Sequence, residues 1–275
     1  MPAIQTLSLN PILFAQVPAL DTVLSKQITF LEEQAHWPNT GISKDQVKST
    51  ISKVVTTYLK PRFAPTGTVN AVGNVPSAKV TTLEAWLQTT TVMAATLPLE
   101  SLFPVADLWR LAILDPSVSS WIVSHPPSNP SDPLEVLVPK AVLALDTSSK
   151  GARNFSLIIL RFLCNSLSHT PLANRLLRTE MRDQLKAVLI AGLLHPDATV
   201  RTASASLAFN TAAVLQKARV DAVKSGRGVQ SEEADLADWQ IEIITAIVEA
   251  LNRELENEEV GTLGFLFKKC GSDDL

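Results

Sequence analysis

The chain has 275 residues, of which 46% are hydrophobic and 19% charged, enough for one large domain or two small ones. Its formal net charge of −3 argues against nucleic acid as the main partner. The two cysteines, Cys164 and Cys270, form neither a disulfide framework nor a zinc pattern. Without a secretory signal or a long apolar run, no membrane association is expected, and we predict a cytoplasmic protein with the nucleus as a second compartment.

The N-terminal part contains two predicted helices. Leu20 begins the first apolar stripe with helical spacing, which runs to Leu31. Ser43 and Gln46 have the spacing of a capping box, and a second apolar stripe follows them as far as Tyr58. Proline and glycine then interrupt the pattern. We therefore predict a helical pair in residues 1–60, a loop or linker in 61–80 and the main domain in 81–275.

The main domain shows one helical stripe after another, with no alternation of the kind that predicts strands. Residues 217–233 are polar, contain two glycines and predict a loop. The predicted helices are near residues 81–94, 101–114, 134–145, 152–167, 172–177, 184–194, 198–214, 244–255 and 260–267.

Helix pairs recur at roughly 40 residues, the spacing of armadillo and HEAT arrays. The segment Asp197–Arg201, followed by small residues, is typical of such repeats because small side chains let helices approach closely. The predicted fold class is therefore all-α, an armadillo/HEAT-like helical repeat array or α-solenoid. An irregular helical bundle is the alternative.

Catalytic and metal-binding patterns are not found in the sequence. Cys164 lies on the most apolar predicted helix, and His169 would face another side of that helix, so a buried structural thiol is expected. The four histidines are scattered without the spacing of metal ligands. We predict no enzyme, no metal site and no cofactor.

Charge is distributed unevenly along the chain. Residues 150–201 contain eight basic and three acidic residues, whereas residues 231–275 contain twelve acidic and three basic ones. The middle of the chain is therefore expected to favour anionic ligands and the C-terminal part to repel them.

Five polar residues on apolar helices are candidates for peptide binding. An arginine there either pairs with a nearby acid, such as Asp107 or Asp197, or lines the inner face of the array, where its planar fork suits a carboxylate. An asparagine amide offers both a donor and an acceptor to the backbone of an extended peptide. The candidates are Arg110, Arg161, Asn165, Arg201 and Asn210.

Four segments in order resemble the PUL domain. Residues 97–111 resemble its FPxxDxxRL pattern and residues 160–165 its LRxxxN helix. Residues 205–214 and 262–266 resemble two further helices of the family. No single segment is specific, but the ordered set is.

The resemblance implies an armadillo-like fold of about six repeats and a basic groove. In this family the groove binds the extended C-terminal tail of the AAA+ ATPase valosin-containing protein, in ubiquitin-dependent protein handling. By this resemblance Arg110 and Arg161 would contact carboxylates of the tail, and Asn165 and Asn210 would hold its backbone. Glu258 stands where the family tends to have arginine, which predicts a weaker end of the groove.

Two alternatives stay open. The chain could be a generic armadillo/HEAT scaffold that binds another partner, for instance through its acidic C-terminal face. It could also be the non-catalytic part of a fungal protein that carries thioredoxin-like and papain-like isopeptidase domains. No such catalytic segment is present in these 275 residues.

Overall fold

The computed structural model describes residues 8–39, 41–63, 78–124, 132–177, 179–226 and 233–256. Within these ranges every regular element is helical. A π-helical turn at Val55–Leu59 joins α2 to α3, and a 3₁₀ turn at Leu99–Ser101 precedes α5. The helices are α1 (Leu20–Glu32), α2 (Lys44–Val54), α3 (Lys60–Phe63), α4 (Val80–Thr96), α5 (Phe103–Ala112), α6 (Pro116–Ser124), α7 (Pro133–Leu145), α8 (Lys150–Ser166), α9 (Thr170–Leu176), α10 (Thr179–Leu193), α11 (Ala198–Lys224) and α12 (Glu233–Glu256).

Side-chain caps fix where several helices begin. The capping box predicted at Ser43 and Gln46 is present at the start of α2. Asp132, Ser149 and Asp197 accept hydrogen bonds from the first backbone N–H groups of α7, α8 and α11. Each cap satisfies donors that have no partner inside the helix, so these residues define locally where their helices begin.

The helices pack in two rows. One row, called the inner row here, consists of α5, α8 and α11, each packed against the next. The outer row consists of α4, α7, α10 and α12, again each packed against the next. The short helices α6 and α9 pack against each other. The units α6–α7–α8 and α9–α10–α11 are therefore successive three-helix, armadillo-type units whose corresponding helices begin 46 to 54 residues apart, and the predicted α-solenoid is confirmed.

One hydrophobic core connects most of the helices. It extends from Leu20 in α1 to Ile243 in α12. Near its centre the rings of Trp86 and Trp109 stack with centroids 3.7 Å apart, and Trp109 Nε1 donates to Thr90 Oγ1 at 2.9 Å. Both α1 and α2 belong to this core. The boundaries at 1–60, 61–80 and 81–275 stay predictions, since most of the linker lies outside the described residues.

The structure corrects the predicted loop at residues 217–233. α11 continues to Lys224 and ends before Gly226, whose φ of +65° suits the left-handed conformation that terminates a helix. The residues after Gln216 are polar but are mostly good helix formers, and a helix needs no buried face to continue for two turns. α6 was not predicted, and the predicted helix at 260–267 lies outside the described residues.

Candidate peptide-binding site

An extended segment of the chain itself lies against the inner row. This segment, residues 8–19, is called the strap here, and it precedes α1. Asn210 Oδ1 accepts from the N–H of Ile12 at 2.8 Å, and Asn210 Nδ2 donates to the carbonyl of Ile12 at 2.9 Å. Asn165 makes the same pair of bonds to Phe14, at 2.8 and 3.2 Å. Two asparagines of successive inner helices thus hold alternate residues of one extended backbone.

Each asparagine also reaches the inner helix that precedes its own. Asn165 Nδ2 donates to the carbonyl of Arg110 at 3.0 Å, in the last turn of α5. Asn210 Nδ2 donates to the carbonyl of Cys164 at 3.2 Å, in the last turn of α8. The last carbonyls of a helix lack intrahelical donors, so one amide satisfies a helix end and a strap residue together. Both asparagines are almost completely buried.

Arg110 holds the strap from α5. Its Nε donates to Asp107 at 2.6 Å. Pairing with a nearby acid was one of the two alternatives predicted for the arginines. Its Nη1 donates to the carbonyl of Phe14 and its Nη2 to the carbonyl of Gln16, the latter at 3.0 Å. The guanidinium therefore contacts an acid and a backbone at once, and its fork is fully engaged.

Arg161 lies beside Arg110 but is engaged differently. Its guanidinium carbon lies 5.2 Å from the centre of the Phe14 ring, a cation–π contact. Its Nε is buried and has no hydrogen-bond partner among the described residues. Burial and, secondarily, the positive charge of Arg110 lower the pKa of Arg161. Arg161 is thus a half-buried cation whose charge no carboxylate neutralises by direct contact within the described chain.

Arg201 contacts other parts of the chain. It pairs with Glu254 of α12 and donates to the carbonyls of His195 and Pro196, at 3.0 and 2.7 Å. These bonds fasten α12 to the turn between α10 and α11. The structure therefore brings Arg110, Arg161, Asn165 and Asn210 together at the strap, whereas Arg201 lies apart from them at the turn before α11, and its part in peptide binding stays a prediction.

Much of the positive charge predicted for residues 150–201 is neutralised by acids. Arg153 pairs with Asp197 at 2.7 Å and Lys186 with Glu242 at 2.8 Å. Arg175 contacts Asp132 and Glu135. The local excess of basic residues therefore does not translate into an equally basic surface. At the strap, Arg161 carries most of the attraction for an anion.

An apolar pocket of about 510 Å³ lies at the N-terminal end of the strap, between α11 and α12. Leu9 of the strap forms one side, and apolar residues of the two helices form the others. They include Phe209, Ala213, Trp239, Ile243 and Ile247.

The strap was not predicted from the sequence, and neither was its most connected residue, Phe14, which contacts Asn165, Arg110 and Arg161. Residues 12–14 are apolar but lack helical spacing, and they follow Pro11, whose fixed φ favours extended backbone. A short apolar run that follows a proline and lacks helical spacing was the signal in the sequence that could have indicated an extended segment. The partners of Ile12 and Phe14, however, lie 198 and 151 residues away in sequence, beyond any local pattern.

The structure agrees with the prediction that Cys164 is a buried structural thiol. The thiol is fully buried, and burial raises its pKa. Within the described ranges no group of three or more histidine, cysteine or acidic residues could hold a metal ion. None of the described helices combines the length and the apolar character that crossing a membrane requires.

Three-helix units in two rows, with asparagines of the inner row holding an extended segment of the same chain, define an armadillo-type helical-repeat domain. A family model described as PUL domain matches residues 8–262, and the chain belongs to that family. The matched range includes the strap, so the strap is part of the family's domain. The PUL domain is a protein-interaction domain and not a catalytic family. A search of curated proteins gave no match.

Proposed function

We propose that this chain is a non-enzymatic adaptor that docks the C-terminal tail of the AAA+ ATPase valosin-containing protein in ubiquitin-dependent protein handling. The observation that carries the proposal is Arg161, a half-buried guanidinium at the strap with no acceptor among the described residues. The proposal extends to location: the protein works in the cytoplasm, with the nucleus as a second compartment.

The buried Nε of Arg161 has no acceptor among the described residues and its guanidinium is half shielded from water, so a ligand that supplies a carboxylate gains more there than at the open surface. The guanidinium remains charged, because arginine does not lose its proton in proteins at neutral pH. Arg110 lowers the pKa of Arg161 by its charge, but Arg110 is itself paired with Asp107, so Arg161 is the cation that a ligand's carboxylate would contact. An extended acidic tail meets both requirements of the site, for negative charge and for backbone hydrogen bonding.

Calorimetry with the full chain and a synthetic peptide of the ATPase's C-terminal tail tests the proposal. We expect a dissociation constant on the order of micromolar, since one charge-assisted contact and a few backbone bonds are involved. Arg161→Ala is expected to weaken binding about tenfold or more. Arg161→Lys is expected to be intermediate, because lysine keeps the charge but not the planar fork.

Lys53→Ala is the matched control, because Lys53 is exposed on α2 and its removal changes the net charge equally. A scrambled tail peptide controls for charge alone. The proposal is wrong if the native peptide does not bind at high micromolar concentration, or if Arg161→Ala binds it as tightly as Lys53→Ala does.

A second candidate function is a scaffold for another protein. Ile241, Ile244 and Val248 form an exposed apolar stripe on α12, next to acidic residues of the same helix. Affinity capture followed by mass spectrometry separates the candidates. A partner that is lost from Ile244→Ser with Val248→Ser, but retained by Arg161→Ala, would favour the scaffold.

A further inference from the structure

The strap has a second edge that the inner helices do not use. Ile12 and Phe14 direct both their N–H and their carbonyl groups to the inner row. In an extended chain alternate residues direct these groups to opposite edges. Leu13 and Ala15 therefore present theirs on the outer edge, and neither backbone makes a hydrogen bond within the described residues. The Leu13 side chain is 46% exposed.

A partner's peptide has two ways to use this site: displacing the strap or adding to it. Six hydrogen bonds from Asn165, Asn210 and Arg110 hold the strap. The strap is also tethered, so its effective concentration at the inner row is on the order of millimolar. With an intrinsic dissociation constant of about 10 µM for the strap itself, any free peptide that competes for the inner row would be weakened roughly 100-fold. Addition at the outer edge avoids the competition and keeps all six bonds.

Charge indicates which kind of peptide fits the edge. Residues 8–19 contain no charged side chain, so the strap does not neutralise the two arginines that contact it. Arg161 stacks on the ring of Phe14, the residue between the two outward-facing ones. A second strand would lie about 4.8 Å from the strap. A carboxylate on that strand is then within reach of the Arg161 side chain.

We propose that the partner's tail binds by β-strand addition to the outer edge of the strap, through main-chain hydrogen bonds to Leu13 and Ala15 and a carboxylate at Arg161. This rests on the proposed function, in that an extended acidic tail of another protein is the ligand. Pro11 has no N–H, so the donors of the edge begin at Leu13. The added strand is therefore short, and its main-chain bonds supply affinity while Arg161 supplies selectivity.

Leu13→Pro in the full chain tests the strand addition with the tail peptide as the probe. Proline removes the outward N–H of residue 13 and favours extended backbone at residue 12, so the bonds of Ile12 to Asn210 remain possible. We expect tail affinity to fall roughly tenfold. Leu13→Ala keeps the N–H and is expected to change affinity less than threefold. Circular dichroism and the melting temperature of each variant verify that the fold is intact.

Ile12→Pro distinguishes addition from displacement, because it removes the N–H that the strap donates to Asn210 but leaves Asn210 and the outer edge unchanged. Addition predicts weaker tail binding, since the platform is less ordered. Displacement predicts tighter binding, and that result, or equal affinity, would overturn the proposal. If Arg161→Ala weakens binding and Leu13→Pro does not, the strand-addition proposal is wrong but the proposed function stands. If the wild-type chain binds no tail peptide, the proposed function itself fails.

Discussion

Asn165 and Asn210 each use a single amide to join three pieces of backbone. The side-chain oxygen accepts from the strap, and the side-chain nitrogen donates to the strap and to the end of the preceding inner helix. All the donors and the acceptor are thereby used in a place that water does not reach. An aspartate side chain could not donate, and a leucine side chain could neither donate nor accept, so each of the two positions requires an amide.

Truncating Asn165 should therefore destabilise the domain. Asn165→Ala removes three hydrogen bonds and leaves the carbonyl of Arg110 buried without a donor, so we expect a loss of about 2–4 kcal/mol in the free energy of unfolding. Urea denaturation followed by circular dichroism measures it. Asn154→Ala, on the same helix and only half buried, is the control and should cost less than about 0.5 kcal/mol. Equal losses in the two variants would contradict this role.

Asp197 gives the stability of the domain a predictable dependence on pH. Burial alone would raise its pKa, but hydrogen bonds from Thr199, Arg153 and Val200 outweigh burial and lower the pKa from 3.8 to about 2. A lowered pKa means that the stabilisation is complete above the unfolded value and is lost as pH falls from about 4 towards 2.

The comparison of wild type with Asp197→Ala tests this dependence. At pH 7 we expect the variant to be less stable by about 1–2 kcal/mol, the usual value of an N-cap. The difference in the free energy of unfolding should be constant between pH 7 and 5 and should shrink below pH 4, as the carboxyl group becomes protonated. A stability difference that stays constant down to pH 3, or grows, would show that the Asp197 carboxylate is not the source of the stabilisation.

At the level of elements, the helices were predictable and the strap was not. Apolar stripes and caps such as Ser43 and Asp197 are local signals, and they marked most helices correctly. The end of α11 was missed because an exposed helix of good helix formers has no apolar stripe. The strap was missed because its structure depends on side chains of α5, α8 and α11. Asn165 and Asn210 were predicted to hold the backbone of a partner's peptide, which stays a prediction, and their contact with the chain's own strap could not be inferred from residue spacing.

The contact between α10 and α11 depends on Gly192. A Cβ placed there would lie 2.1 Å from Ser204 Oγ and 3.1 Å from Ser204 Cβ. We therefore expect Gly192→Ala to lower the free energy of unfolding by about 1–3 kcal/mol through overpacking. Thermal denaturation of the purified variant measures the effect.

Ser204→Ala provides the matched rescue. The buried Ser204 hydroxyl has no hydrogen-bond partner in the described part of the chain, so its removal alone should be nearly neutral. In the double variant the closest clash is gone, and most of the loss should be recovered. Additive losses would mean that the two residues are not in contact as described.

At the level of the whole molecule, the strap ties together an array that is otherwise held by contacts between neighbouring units. Solenoid stability is approximately a sum of repeat and nearest-neighbour terms. The strap adds bonds that span α5, α8 and α11 from the first described residues of the chain. It also changes the inner face, where the helices bind the strap and the backbone groups of Leu13 and Ala15 on its outer edge make no hydrogen bond within the described residues.

Amide hydrogen exchange of the strap, followed by NMR on the full chain, tests this account most directly. We predict that the amide protons of Ile12 and Phe14 exchange at least roughly 100-fold more slowly than those of Leu13 and Ala15. Saturating tail peptide should then slow the exchange of Leu13 and Ala15 while leaving Ile12 and Phe14 protected. Equally fast exchange at all four positions, or loss of protection at Ile12 and Phe14 when the peptide is added, would contradict the account.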